Sequence, residues 1–249
     1  MTASERAPLG AVLAVLLSLV TLTGGASVPL MAALLCVLAL LVGIGWPDLL
    51  ELPSALGSRI VIVATGMLAA LLSVRTAETG EPLWSVVVAC ALGIFGAFVH
   101  QMLRRGREEL SASLTGTVGG VMLTGISATW VVAQADAATP AEVGLLAASG
   151  AGLAVTLLVT ALGLPRTPRL ILAIVLGAGT TALMMHEMSA IAWPIALLVG
   201  AVLAIGASGV HLLLGSVLAA REPLPSLAVA AGPVATIGVV ALLTQRLLG

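Results

Sequence analysis

The sequence predicts an all-α fold, a polytopic bundle of about nine transmembrane helices forming one membrane-embedded domain over residues 1–249. Three observations carry this. Of the 249 residues, 60% are hydrophobic and 8% charged, against roughly 45–50% and 25% in soluble domains. Mean hydropathy is +1.21. Apolar runs of membrane-crossing length recur along the whole chain, and no connector between them is long enough to hold a soluble domain. A chain so poor in charge cannot clothe a globule in polar surface, which excludes a soluble enzyme and a disordered tail. The ten basic residues are all Arg and form no basic arm, so nucleic acid is not an expected partner.

A helix crossing a hydrocarbon core needs about 20 apolar residues, and lipid offers free peptide groups no partner, so each run should be a complete helix. The runs are Leu9–Ala26, Pro29–Trp46, Leu56–Val74, Leu83–Leu103, Leu114–Ala133, Val143–Leu164, Leu170–Met185, Ile191–Leu218 and Leu227–Leu243. Turn-forming residues separate them: Gly24-Gly25, Trp46-Pro47-Asp48, Thr79-Gly80-Glu81-Pro82, Arg105-Gly106, Thr139-Pro140, Pro165 to Pro168 and Pro223-Leu224-Pro225. Leu170–Met185 is short and is parted from the next run by His186-Glu187-Met188-Ser189. Ile191–Leu218 is long for one span, and Pro194 marks its first turn if the helix starts late. The count is therefore nine, with eight the alternative. The first run also has a second reading as a cleavable signal peptide, because Arg6, an apolar stretch and Gly24-Gly25-Ala26 follow one another.

Arginine sets the expected orientation, since cytoplasmic loops are enriched in basic residues near span ends. With nine spans, the N-terminus and every second connector hold Arg6, Arg59, Arg104, Arg105, Arg107, Arg166, Arg169 and Arg221. Only Arg75 and Arg246 fall on the other side. The N-terminus is expected inside and the C-terminus outside. Trp46, Trp84, Trp130 and Trp193 all stand at or beside expected span ends, where indole rings favour the headgroup boundary.

Leucine burial does not draw helices together in lipid, whereas small residues let backbones approach. The candidates are Gly116, Gly119, Gly120 and Gly125, then Gly150 with Gly152, Gly177 with Gly179, and Gly206 with Gly209. The densest stretch, Thr115 to Gly120, reads as close packing or as a substrate-facing groove. Cys36 and Cys90 sit inside apolar runs and behave as small hydrophobes, with no spacing that suggests a metal.

Ionisable groups deep in a membrane are costly and mark functional candidates. Arg59 and His100 read as interfacial, within reach of water. His211 precedes Arg221 by ten residues, about 15 Å of helix, which puts it near mid-bilayer if Arg221 marks the surface. Ser208 lies on the same face. The pair reads as a binding or proton-relay site, or as a histidine bonded once to a neighbouring helix. The run Arg104-Arg105-Gly106-Arg107-Glu108-Glu109 offers Arg104, Arg105 and Arg107 to anionic headgroups, although its topological role already accounts for it. His186-Glu187 reads as an outer turn. The two aspartates, Asp48 and Asp136, fall on opposite sides, and no phosphate-binding loop or intramembrane acid pair occurs. Neither catalysis nor a cofactor or metal is expected.

The stretch Met102-Leu103-Arg104-Arg105-Gly106-Arg107-Glu108-Glu109-Leu110, with the apolar run from Leu114 to Ala133, resembles the middle of the bacterial phosphatidate cytidylyltransferase family. That family carries a polar C-terminal signature rich in Lys, Asp, Gly and His. Here the corresponding place reads His211-Leu212-Leu213-Leu214-Gly215-Ser216 and on to Pro223, without Lys or Asp. The resemblance covers about 35 residues, transfers no catalytic residue, and implies a relative that kept the bundle and lost the chemistry. The expected function is a non-enzymatic multi-pass protein of a bacterial cytoplasmic (inner) membrane, an accessory or scaffold partner of a membrane assembly or a lipid-handling protein. Its expected partners are membrane lipids and other membrane proteins. The alternatives are a small permease for an apolar or lipid-like solute and a degenerate lipid-headgroup transferase.

Overall fold

The computed structural model describes residues 3–77, 82–104, 109–216 and 224–249. All regular structure there is helical. The elements are α1 (Ala3–Thr21), a short 3-10 turn (Gly24–Ala26), α2 (Ser27–Leu49), α3 (Ala55–Ala77), α4 (Pro82–Leu103), α5 (Leu110–Ser127), α6 (Thr129–Asp136), α7 (Pro140–Thr160), α8 (Arg166–Ser189), α9 (Trp193–Ser216) and α10 (Pro225–Leu248). Helices α5 and α6 follow one another as a single 27-residue crossing unit, Leu110–Asp136. Eight units are long and apolar enough to cross a membrane, and the chain is a multi-pass helical protein on that basis.

Helix α1 is the ninth of the expected set, but its apolar part, Pro8–Thr21, is shorter than the other eight. The doubtful run before His186 proves complete. Helix α8 takes in both Arg166 and Ser189 over 24 residues, because His186–Ser189 form its last turn instead of interrupting it. Helix α9 starts at Trp193 with Pro194 in its first turn, where a missing N–H leaves nothing unpaired. Trp46-Pro47-Asp48 does not end α2 as expected. The helix runs on to Leu49, and Leu52 N–H bonds Pro47 O at 2.8 Å beyond it. The Thr139-Pro140 turn is a complete helix start: Glu142 N–H donates to Thr139 Oγ1 at 3.2 Å, and Thr139 N–H donates to Glu142 Oε2 at 3.2 Å.

Helix α10 is the axis. It packs on α1, α2, α5, α6, α7 and α9, while α2–α6 gather on one side of it and α1, α7, α8 and α9 on the other. Large apolar side chains face outward all round, among them Leu56, Phe95, Leu198 and Leu213, as hydrocarbon surroundings require.

Several expected glycines are where the helices meet. A Cβ on Gly116 would strike Leu52, one on Gly120 would strike Ile62 and Trp46, and one on Gly125 would strike Cys90. Gly150 abuts Ser18 of α1, whose hydroxyl donates to Ala147 O at 2.8 Å. Gly152 and Gly177 face each other across the α7–α8 crossing. Gly179 and Gly209 have open space instead, so each of those two pairs supplies one contact residue.

The tryptophans divide. Trp84 and Trp193 are exposed, as the headgroup reading expects. Trp130 is fully buried and donates from Nε1 to Val234 O at 2.9 Å, so it belongs to the interior. Trp46 is half-buried and donates to Gly116 O at 2.8 Å.

Candidate functional site

Polar side chains concentrate where the last turns of α2 and α4 meet the first turns of α3 and α5. This end also carries Arg59 and Arg104. Arg59 Nη2 lies 2.6 Å from Asp48 Oδ2, both side chains 29% exposed, which holds α3 against α2. Arg59 Nε is buried without a partner. One turn before Arg59, Ser54 Oγ is 2.7 Å from His100 Nε2. Gly57 makes that contact possible, because the imidazole fills the volume a side chain at position 57 would take.

A second set lies deeper. Gln101 Nε2 donates to Ser113 Oγ at 2.7 Å. Thr117 donates to Ser113 O at 2.7 Å, so the 2.7 Å contact between Ser58 and Thr117 has Ser58 as donor. All four side chains are buried. In lipid no water competes for these groups, and the Gln101–Ser113 and Ser58–Thr117 bonds tie α4 and α3 to α5. Arg104 Nη1 stands 3.5 Å from Gln101 Oε1, at the limit of a hydrogen bond.

Arg104 thus sits at the end of α4 beside this polar seam, while Arg105 and Arg107 lie outside the described residues. His211 and Ser208 are elsewhere. Helix α4 packs on α3, α5 and α6, whereas α9 packs on α7, α8 and α10. Among the described residues, Arg104 and His211 are therefore not brought together. Arg221, from which the mid-bilayer placement of His211 is reckoned, lies outside the described residues, and α9 is described from Trp193 to Ser216, five residues beyond His211. His211 is half-buried, and Ser208, one turn before it, is buried with an unpartnered hydroxyl.

The opposite end holds Asp136 and Arg246 together with Gln134, which the sequence reading passed over. Asp136 Oδ2 accepts from Arg246 Nη2 at 2.6 Å and Nε at 3.1 Å, joining α6 to α10. A cleft of about 580 Å³ lies between the α1–α2 turn and the α6–α7 turn, lined by Thr21, Ser27, Gln134, Thr139 and Met188 among others. Gln134 Nε2 donates to Ser27 Oγ at 3.1 Å, while its Oε1 is buried with no partner. The available signal was a lone amide just after Trp130-Val131-Val132-Ala133, where an apolar run would otherwise end. His186 folds onto its own turn, with Nδ1 3.0 Å from Ile191 O and its ring 4.8 Å from Trp193, as an outer turn should.

Among the described residues no three His, Cys, Asp or Glu side chains stand together as a metal site. Cys36 and Cys90 are both free thiols. No family model, curated protein or solved structure matches the chain.

Proposed function

We propose that this is a non-enzymatic multi-pass protein of a bacterial cytoplasmic membrane, acting as a lipid-engaging scaffold or accessory partner with its arginine-rich end and N-terminus in the cytoplasm. The observation that carries this is the end of α4. Met102 and Leu103 are 81% and 78% exposed immediately before Arg104, and Arg105 and Arg107 follow in the sequence. Such an end sets hydrocarbon-seeking side chains beside the Arg104 guanidinium, the arrangement that meets acyl chains and phosphates together. The neighbouring polar groups bond one another across α3, α4 and α5, which suits a fixed scaffold. The eight-to-two division of arginine supports the orientation. The likeness to phosphatidate cytidylyltransferases contributes the bundle and the lipid surroundings, not a reaction.

Purification in mild detergent followed by mass spectrometry tests the reading. A stoichiometric lipid or membrane-protein partner is expected, and a clean monomer carrying neither overturns it. C-terminal alkaline phosphatase fusions should be active, placing that end outside. A second reading, a small permease, draws on the 580 Å³ cleft with Gln134 at its wall; solute uptake by reconstituted vesicles that is lost in Gln134→Leu would favour it.

A further inference from the structure

Helices α3 and α4 do not close on each other along their full length. At Gly93 they do: a side chain there would collide with Thr65 of α3 and with Val121 of α5. One turn nearer the arginine-rich end, at Gly96, the nearest atom to an added Cβ is Val61 Cγ1 at 3.7 Å, an ordinary contact. Protein packing therefore explains Gly93 and does not require Gly96. The gap is a slot of about 210 Å³ walled by Val61, Ala64, Thr65, Leu68, Gly93 and Gly96. Its rim residues Ile60 and Leu92 face outward, so it opens to the bilayer. Its one polar wall group, Thr65 Oγ1, donates to Val61 O at 2.8 Å. Nothing in the wall is left to hold water, and an apolar gap of this kind fills with hydrocarbon.

What distinguishes this slot from an ordinary lipid-facing crevice is where it leads. Gly96 is one turn from His100, which is fixed by Ser54 over Gly57. Arg104 is one turn further, at the end of α4. A chain lying in the slot brings its headgroup to an imidazole and a guanidinium. We propose that the α3–α4 slot holds one acyl chain of an anionic phospholipid, with its phosphate at the His100–Arg104 end. This inference rests on the lipid-engaging reading above and gives it a definite site.

The test uses the full-length chain in mild detergent, incubated with phosphatidylglycerol or phosphatidylcholine and weighed intact by native mass spectrometry. The wild type should retain one phosphatidylglycerol, favoured over phosphatidylcholine by about fivefold, the preference one arginine confers near a charged surface. Gly96→Leu fills the slot from α4 and Ala64→Leu fills it from α3; either should abolish retention, while Gly96→Ala should keep it. Arg104→Gln should retain both lipids equally. If both leucine variants stay monodisperse and still hold phosphatidylglycerol, the slot is wrong although the lipid reading stands. If the wild type retains no anionic lipid, both fall. If the leucine variants instead turn a dimer into a monomer, the slot is a seam between two copies and the lipid assignment is overturned.

Discussion

Two glycines of α8, two residues apart, should respond in opposite ways to the same methyl group. A Cβ on Gly177 would meet Gly152 O and Thr156 Cβ, each at 3.2 Å, and would collide with Thr156 Oγ1. The threonine cannot simply turn away, because its hydroxyl donates to Gly152 O at 2.8 Å, as Thr181 does to Gly177 O at 3.0 Å. Helices α7 and α8 must therefore separate. Overpacking of this kind costs about 1–3 kcal/mol, and the better helix propensity of alanine returns at most about 1. Gly177→Ala should thus destabilise by roughly 0.5–2 kcal/mol. Gly179 has nothing within 4 Å, so Gly179→Ala keeps only the propensity gain. At about 2–4 °C per kcal/mol for a chain of this size, the two variants should differ by several degrees. Heating the detergent-solubilised fusion to a fluorescent protein and following its monodisperse chromatographic peak measures this. Equal midpoints for the two alanines would refute the claim that this crossing depends on backbone contact.

Three further changes probe the polar groups. Trp130→Phe removes the donor to Val234 O and should cost about 1 kcal/mol, whereas Trp130→Ala should cost about 3–5; similar melting points for the two would show that the indole N–H and not the ring volume matters. Asp48→Asn should cost under about 1 kcal/mol and lower the melting temperature only slightly, because both partners are partly exposed, and a loss of folded protein would contradict that. Gln134→Met exchanges one bond to Ser27 for the relief of a buried unpartnered oxygen, so the net change should stay within about 1 kcal/mol. A drop of many degrees would mean that the oxygen has a partner in the membrane.

The spans were legible because the signal is summed: twenty apolar residues override any single turn-former. That is also why Pro47 misled. A proline in the last turn of a helix that is otherwise apolar lacks one bond but does not outweigh continued burial, and α2 runs to Leu49. Depth and facing are not summed properties, and there the sequence was poorer. His211 was placed by its distance to Arg221, a charge that lies outside the described residues. Trp130 looked like a boundary residue from its place near the end of a run, and only the approach of α10 shows it buried. Of the seam across α3, α4 and α5, Thr117 lay in the stretch Thr115 to Gly120, whose threonine hydroxyls can bond across helices or back to their own carbonyls. Ser58, Gln101 and Ser113 escaped because they are unremarkable singly and acquire meaning from the partners opposite. Their spacing held a usable hint: Ser54 and Ser58, and Ser113 and Thr117, each recur four residues apart on one helical face.

The irregular centre of the bundle bears on which functional reading is stronger. The α5–α6 unit breaks at Ala128, where its N–H turns back to Gly125 O at 3.2 Å, while Ser127 and Thr129 hydroxyls bond Thr124 O and Ile126 O at 2.7 Å. Opposite the break, α10 carries Pro233, which withholds a helical donor. Interrupted helices facing one another are what a solute pathway uses, provided that their backbone groups line a cavity. Here they do not. Gly238 opens room on α10 for the Trp130 indole, Trp130 bonds Val234 O, and the Thr236 hydroxyl lies 3.2 Å from Gly232 O and 3.1 Å from Pro233 O. The joint is filled by a completely buried ring whose N–H is engaged, and the hydroxyls of Ser127, Thr129 and Thr236 bond neighbouring carbonyls. A solute crossing at this point would have to displace the indole and break its bond at once, so the break serves to lock α5, α6 and α10 together, and the scaffold reading gains from the feature that first suggests a transporter.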